Sequence, residues 1–340
     1  MGLRSYLIKR AGITVLILWI VATINFLIFF WYPGDPIMIM LSAQPGIGKD
    51  LIEMLKQEWG LADPIHIQYF KYLKNMFTFG LIPPYFGVSF HSRSFVAPEM
   101  ASRLRWTLLL LGSALLGSII IGIPIGILAA SKRGTKIDAG TVGAVLVTWG
   151  VPAFFIQLLS IVFFVHYLQF QLGIKIFPRS GPYSYPPNPN PFLFMFDVAW
   201  HFALPILTLV VAGFGSWALY TRNLLLDALT QDFVVTARAK GLSERTVLFK
   251  HAFRSILPPI ATMITMSIPG IVTGAIITES IFGLPGIGSW YIEALTPGAS
   301  DYPVAQAVLF VYATLVIIFN FIADMLYGVL DPRIRVGERR

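Results

Sequence analysis

Cysteine is absent from the 340-residue chain, so neither a disulfide nor a thiolate metal site is open to it. Charge is scarce as well: Asp, Glu, Lys and Arg make up 12% of the residues, against about 25% in a soluble domain. The five histidines, at 66, 91, 166, 201 and 251, show no metal-ligand spacing. No G-x-S-x-G elbow and no His-Glu-x-x-His pair occurs, which removes two hydrolase signatures. The nearest thing to a phosphate loop is AQPGIGKD, with Ala43 where the first glycine belongs and Asp50 where Ser or Thr would hold magnesium. Ionisable residues inside the apolar segments are few, chiefly Glu279 and Asp324. A proton- or sodium-driven carrier usually carries more. The chain therefore shows no catalytic centre and no engine of its own.

What the chain has is apolar length. It is 56% hydrophobic, with a mean hydropathy of +0.72. Six segments approach the roughly 20 residues that cross a bilayer, near 11–31, 106–130, 140–168, 200–220, 258–282 and 304–328. The first is too long for a signal-peptide core of roughly 7–15 residues and is read as a retained span. Pro205 and Pro269 interrupt the fourth and fifth, a pattern tolerated where neighbouring helices re-satisfy the freed carbonyls. Trp149-Gly150-Val151-Pro152 predicts a kink in the third. Gly122 and Gly126 form a small-xxx-small face on the second, read as packing within the chain.

Charge sets the orientation. With the N-terminus inside, six spans bring the C-terminus back inside. Inner loops and tails then hold sixteen of the 25 lysines and arginines, as the positive-inside rule requires. The net charge of +8 is a topology signal and does not point to nucleic acid.

The largest non-spanning piece, 33–105, falls outside. Within it Asp63-Pro64 reads as a helix start, followed at helical spacing by Ile67, Tyr69, Phe70, Leu73, Met76 and Phe77. A second outer loop, 169–199, is proline-rich and shows little helical potential. Two readings of these segments stand: caps on the bundle, or a docking surface for something arriving from outside.

One stretch breaks the apolar pattern: TARAKGLSERTVLFKHAFRSILPP, residues 236–259. Thr236 to Lys240 is helix-prone, and Gly241 suits a left-handed C-cap. Ser243 can cap a second helix, with Glu244 in its first turn. That helix carries an apolar stripe (Val247, Leu248, Ala252), and Pro258-Pro259 is expected to end its regular hydrogen bonding. Helix, tight bend, helix, on the cytoplasmic side, reads as a knob for a cytosolic partner, which would supply the missing engine.

At these residues the sequence resembles the permease subunits of binding-protein-dependent ABC importers. Their cytoplasmic signature appears as Thr236-Ala237-Arg238-Ala239-Lys240-Gly241, closed by Ile256-Leu257-Pro258. The glutamate usual at its start is Thr236 here. Ala-Arg-Ala-Lys-Gly-Leu is closer to the dipeptide/oligopeptide branch. Further anchors run in order along the chain: Pro33-Gly34-Asp35-Pro36; Leu61-Ala62-Asp63-Pro64 with Gln68-Tyr69; Glu279 with Phe282 and Pro285-Gly286-Ile287-Gly288; Asp301-Tyr302-Pro303; and Asp331-Pro332-Arg333-Ile334-Arg335.

The resemblance implies an all-α membrane protein with six transmembrane helices and the type I ABC importer permease fold. Its parts would be a tail and first helix (1–32), an extracellular insert (33–105) and a core permease domain (106–340), with a coupling helix at about 236–256 and a cytoplasmic C-terminal tail. Thr236, Ala237, Ala239, Lys240, Gly241, Leu242, Ser243, Glu244 and Arg245 would engage the ATPase. Glu279, Phe282, Pro285 and Gly286 would form an outer gate or anchor a loop. Asp324 is expected to pair with a basic residue, and 331–335 to cap the last helix. No cofactor or metal is expected on this chain, with ATP and magnesium held by partner ATPases. The implied partners are a homologous second permease, two ATPases, an extracellular binding protein and the lipid of the cell membrane. The expected cargo is short peptides. Oligosaccharides or metal chelates on the same architecture remain open, as does a stand-alone secondary transporter.

Overall fold

The computed structural model describes residues 3–30, 62–79, 81–82, 86–272, 276–296 and 301–330. The anchors at 33–36 and 331–335 and the stretch AQPGIGKD lie outside the described residues. The described chain is helical, apart from one antiparallel bridge between Val88 and Phe95. In order it forms α1 (Leu3–Phe30), α2 (Ile65–Phe77), α3 (Val96–Ser131), α4 (Lys136–Gly150) and α5 (Ala153–Ser160), the last running on as π-helical turns through Ile161–Gln171. Then come α6 (Pro191–Leu229), α7 (Asp232–Ala239) and the single turn α8 (Glu244–Thr246), which widens into a π-helical stretch Val247–Phe253. The chain closes with α9 (Arg254–Val272), α10 (Ile276–Phe282), α11 (Ile287–Leu295) and α12 (Tyr302–Leu330).

Among the described residues, five helices are long and apolar enough to cross a membrane: Ile8–Phe30, Val96–Ser131, Ala153–Gln171, Pro191–Leu229 and Tyr302–Ile322. The expected third span is not one helix. Val151 turns extended (φ −96°, ψ 123°) and Pro152 opens a new helix, because a residue before proline is pushed out of the helical region. The expected fifth span is shared by α9 and α10, on either side of 273–275, outside the described residues, and is not among the five. α6 also begins earlier than its apolar core suggests. The Asn190 side chain accepts from the Phe192 and Leu193 amides and Pro191 takes the first position, so the last part of the proline-rich loop is helical.

The chain divides into two compact units: Met1–Thr107 with Val272–Ile276 and Pro285–Ile322, and Leu108–Ile271 with Ile277–Leu284 and Ala323–Arg340. In the first, Ala22 and Phe26 of α1 pack with Tyr72 and Met76 of α2, Trp290 of α11 and Phe310 of α12. Buried Asn25 ties three helices, donating to the Tyr72 hydroxyl (2.8 Å) and the Gln306 carbonyl (3.0 Å). Asp301 caps α12 through the Val304 amide and accepts from the Ser89 hydroxyl (2.5 Å) and the His91 amide (3.2 Å). It thereby holds the 88–95 hairpin. The helix expected to start with Asp63 as cap and Pro64 as its first residue begins one residue later: Pro64 takes the cap position and no side chain caps it.

The second unit is built on backbone proximity. A Cβ on Gly122 would stand 2.5 Å from the Phe214 carbonyl oxygen, and one on Gly126 2.4 Å from that of Ala218. Gly215 of α6 likewise leaves room for Val145 of α4. The small-residue face of α3 thus packs within the chain, against α6. In lipid, helices gain little from burying apolar side chains against one another, and close backbone contact replaces that gain. We expect Gly126→Ala to cost about 1–3 kcal/mol by overpacking. Gly140→Ala, whose Cβ meets nothing within 4 Å, should stabilise by about 0.5–1 kcal/mol. Thermal melting of the detergent-solubilised variants reads both signs.

Candidate functional site: the bend at Gly241

The bend at Gly241 is fixed by local chemistry. α7 ends in a Schellman motif: the Gly241 amide donates to the Arg238 carbonyl (2.9 Å) and the Leu242 amide to that of Ala237 (3.4 Å). Gly241 takes φ +77°, the left-handed region where a Cβ is strained. Ser243 then caps the next turn, its hydroxyl accepting from the Thr246 amide (3.4 Å). Glu244 opens that turn, where the helix dipole favours its charge.

A forked ion pair braces the two arms. Arg238 Nε donates to Glu244 Oε1 at 2.8 Å and its terminal nitrogen to Oε2 at 3.1 Å. That hydrogen bond holds the Glu244 carboxyl below the usual glutamate range and raises the Arg238 guanidinium. A carboxyl depressed in the folded state supports the bend above its unfolded pKa. The support fades as pH falls through the lowered value.

The inner face of the hairpin is apolar and belongs to the chain itself. Val234, Ala237, Val247, Ala252, Ile256 and Ile260 pack with Ala130 at the end of α3 and with Leu225 and Ala228 of α6. Val247 and Ala252, expected to face a partner, are fully buried, because helical spacing turns them toward the bundle with Ile256. Ala237 also points inward. The remaining predicted contact residues, Thr236, Ala239, Lys240, Gly241, Leu242, Ser243, Glu244 and Arg245, are all exposed. A Cβ at Gly241 would meet nothing within 4 Å, so its constraint is conformational and the bend stands clear. The helix does not stop at Pro258-Pro259. α9 runs through both, as helices can when surrounding groups compensate for the missing amides; one turn on, the Thr262 hydroxyl donates to the Pro258 carbonyl (3.1 Å).

Sequence reasoning missed two features. Phe233, Val235 and Phe249 are exposed on the two arms of the hairpin; the three-residue spacing of buried Val234 and Ala237 identifies the inner face and leaves Phe233 and Val235 outside. Asp138 of α4 receives a second arginine fork, from Arg222 of α6 at 2.6 and 2.9 Å, and the Gly134 amide at 3.0 Å. No local pattern announces that pair.

At the opposite end, Glu279 and Phe282 lie on α10, and Pro285 and Gly286 lead into α11. The Glu279 side chain is buried (1% exposed), and its backbone carbonyl accepts from the Leu284 amide. The Phe282 carbonyl accepts from Gly181 (3.0 Å). The loop bearing Gly181 is tied to α6 by Ser184, whose amide and hydroxyl donate to Asp197 at 2.6 and 2.8 Å. These bonds join α10 to the loop bearing Gly181 and that loop to α6. Gln157, unforeseen from sequence, is buried and donates to the Thr278 hydroxyl (2.8 Å). No group of three or more metal-ligating side chains occurs among the described residues.

Long apolar helices joined by a capped, outward-standing bend define a multi-pass membrane permease. The chain belongs to the family of binding-protein-dependent transport system inner membrane components, whose description matches residues 122–336, while that of the N-terminal membrane component matches 3–111; it is the permease-subunit family of ABC importers. It is 34% identical over 333 residues to the oligopeptide transport system permease protein AppB of Bacillus subtilis (strain 168), covering 98% of this chain and 99% of that protein. It is 33% identical over 349 residues to the dipeptide transport system permease protein DppB of Escherichia coli (strain K12), covering 97% and 98%. The glutathione transport system permease protein GsiC of Escherichia coli O1:K1 / APEC is 32% identical over 331 residues, covering 97% and 99%.

Selective carbon-13 labelling of glutamate carboxyls tests the brace. Glu244 should titrate below the ordinary glutamate range in the wild type and return to it in Arg238→Gln. An unchanged midpoint would mean that the fork does not exist in solution.

Proposed function

We propose that this chain is a pore-forming subunit of an ATP-driven importer of short peptides. The observation that carries the reading is full-length similarity, end to end, to permeases whose names specify oligopeptide, dipeptide and glutathione transport. Those names favour peptides over oligosaccharides or metal chelates as cargo. The chain is non-catalytic in this reading. A homologous second permease completes the pore, two ATPases hold ATP and magnesium beneath it, and an extracellular binding protein delivers the peptide.

The topology we infer has six crossings in the cell membrane, with α9 as the fifth and both termini inside. The 33–105 insert then lies outside and residues 106–340 form the permease core. The basic residues that flank the hairpin support this placement. Because the chain has no cysteine, single reporters are clean. Thr296→Cys and Asn188→Cys should react with an impermeant maleimide from outside, and Arg133→Cys only after permeabilisation. Protection of Thr296→Cys in sealed cells would remove the α9 crossing.

The bend around Gly241 seats in the ATPase in this reading, and closure of the ATPases moves it. Thr236, Ala239, Lys240, Leu242, Ser243, Glu244 and Arg245 form the contact surface, and Ala237 positions it from within. Val235 and Phe249 add exposed apolar area on its two arms. An aspartate at Gly241 would strain the left-handed turn and place a new carboxylate on the contact face. Gly241→Asp should insert normally and leave ATP hydrolysis running while peptide uptake falls at least tenfold. Paired uptake and hydrolysis assays in vesicles measure this, and wild-type uptake by the variant would contradict the coupling role.

A further inference from the structure

The base of the hairpin carries two cations that form no ion pair with any described residue. Phe233, Lys250, His251, Arg254 and Ser255 line a shallow, open depression there. Phe233 is the second residue of α7 and Arg254 the first of α9, so the depression lies at the ends joined to the bundle, away from the bend. Lys250 and Arg254 stand four residues apart, both exposed, a spacing at which like charges destabilise each other. Among the described residues neither makes an ion pair, whereas Arg222 is matched by Asp138 and Arg238 by Glu244. Among the described residues no carboxylate lines the depression; Asp232, next to Phe233 in the chain, is not part of its wall. The Ser255 hydroxyl is committed to the Ala252 carbonyl at 2.7 Å, so the cations carry whatever binds.

Apolar surface adjoins the charge. Phe233 is 42% exposed and Leu257, one turn into α9, 44% exposed. A cationic pair with apolar side chains beside it, at the point where a helix enters the bilayer, matches a phosphate attached to acyl chains better than a free ion.

We propose that this depression binds the phosphate of an anionic phospholipid of the cytoplasmic leaflet. Lys250 and Arg254 flank the phosphate, and Phe233 and Leu257 lie along the glycerol and upper acyl chains. The site rests on the inferred topology, which Thr296→Cys labelling decides independently, and not on the cargo or the coupling role.

Native mass spectrometry of the purified full chain tests it with dioctanoyl phosphatidylglycerol, dioctanoyl phosphatidylcholine and inorganic phosphate. The wild type should bind phosphatidylglycerol in preference to phosphatidylcholine, and equimolar inorganic phosphate should not displace it. At about 1 kcal/mol per surface cation, Lys250→Gln/Arg254→Gln should bind phosphatidylglycerol about thirtyfold more weakly. The charge-preserving Lys250→Arg/Arg254→Lys exchange should retain binding, which separates lost charge from lost fold. Undiminished phosphatidylglycerol binding by the neutral variant would overturn the site. Displacement of the lipid by equimolar phosphate would assign it to the free anion. Undiminished lipid binding with loss of ATPase copurification would assign the cations to the protein partner.

Discussion

The seating of the Gly241 hairpin on the bundle is the contact on which the rest depends. Val234, Ala237, Val247 and Ala252 close against Ala130, Leu225 and Ala228 at the C-terminal ends of α3 and α6. Where water surrounds such a contact the hydrophobic effect acts in full. Each buried valine then contributes about 1.5–3 kcal/mol, a gain that lipid-embedded helices cannot draw on. The hairpin is therefore packed firmly onto α3 and α6. Those two helices are themselves locked at backbone distance by Gly122 and Gly126, so the hairpin and both helices are packed together within one unit.

Rigidity and exposure are divided along the hairpin. The buried base fixes position. The tip is held by backbone caps and by a water-exposed arginine–glutamate fork, with open space around Gly241. Such a tip keeps its shape yet offers its surface to a partner. The less exposed Arg222–Asp138 fork plays a different part, tying α4 to α6 within the same unit. Elsewhere in that unit, the Phe282 carbonyl joins α10 to the loop around Gly181.

Much of this was legible in the sequence, and the reason is locality. Gly241, Ser243 and Glu244 report a bend because caps are made by neighbours within five residues. The Gly-Val-Pro run at 150–152 reports a helix break for the same reason. Apolar length announces the spans whatever they pack against. Facing was less legible. The stripe of Val247 and Ala252 is compatible with a partner outside or a bundle inside, and only tertiary packing chose the bundle. Pro258-Pro259 reads as a stop because the helix that overrides it is stabilised from elsewhere. The Asp138–Arg222 pair and the Gln157–Thr278 bond join residues more than eighty positions apart, and no single-sequence pattern encodes them. Glu279 and Phe282 lay between: they were visible as a motif, but the bond from Gly181 to the Phe282 carbonyl was not.

The central claim is that the bend carries work from a separate nucleotide-hydrolysing machine into a conduit that has none of its own. Peptide accumulation in liposomes tests it most directly, comparing the permease with its ATPases, binding protein and ATP against the same permease under only an ion gradient. The account predicts accumulation in the first preparation and none above passive leak in the second. Equal accumulation in both would contradict it.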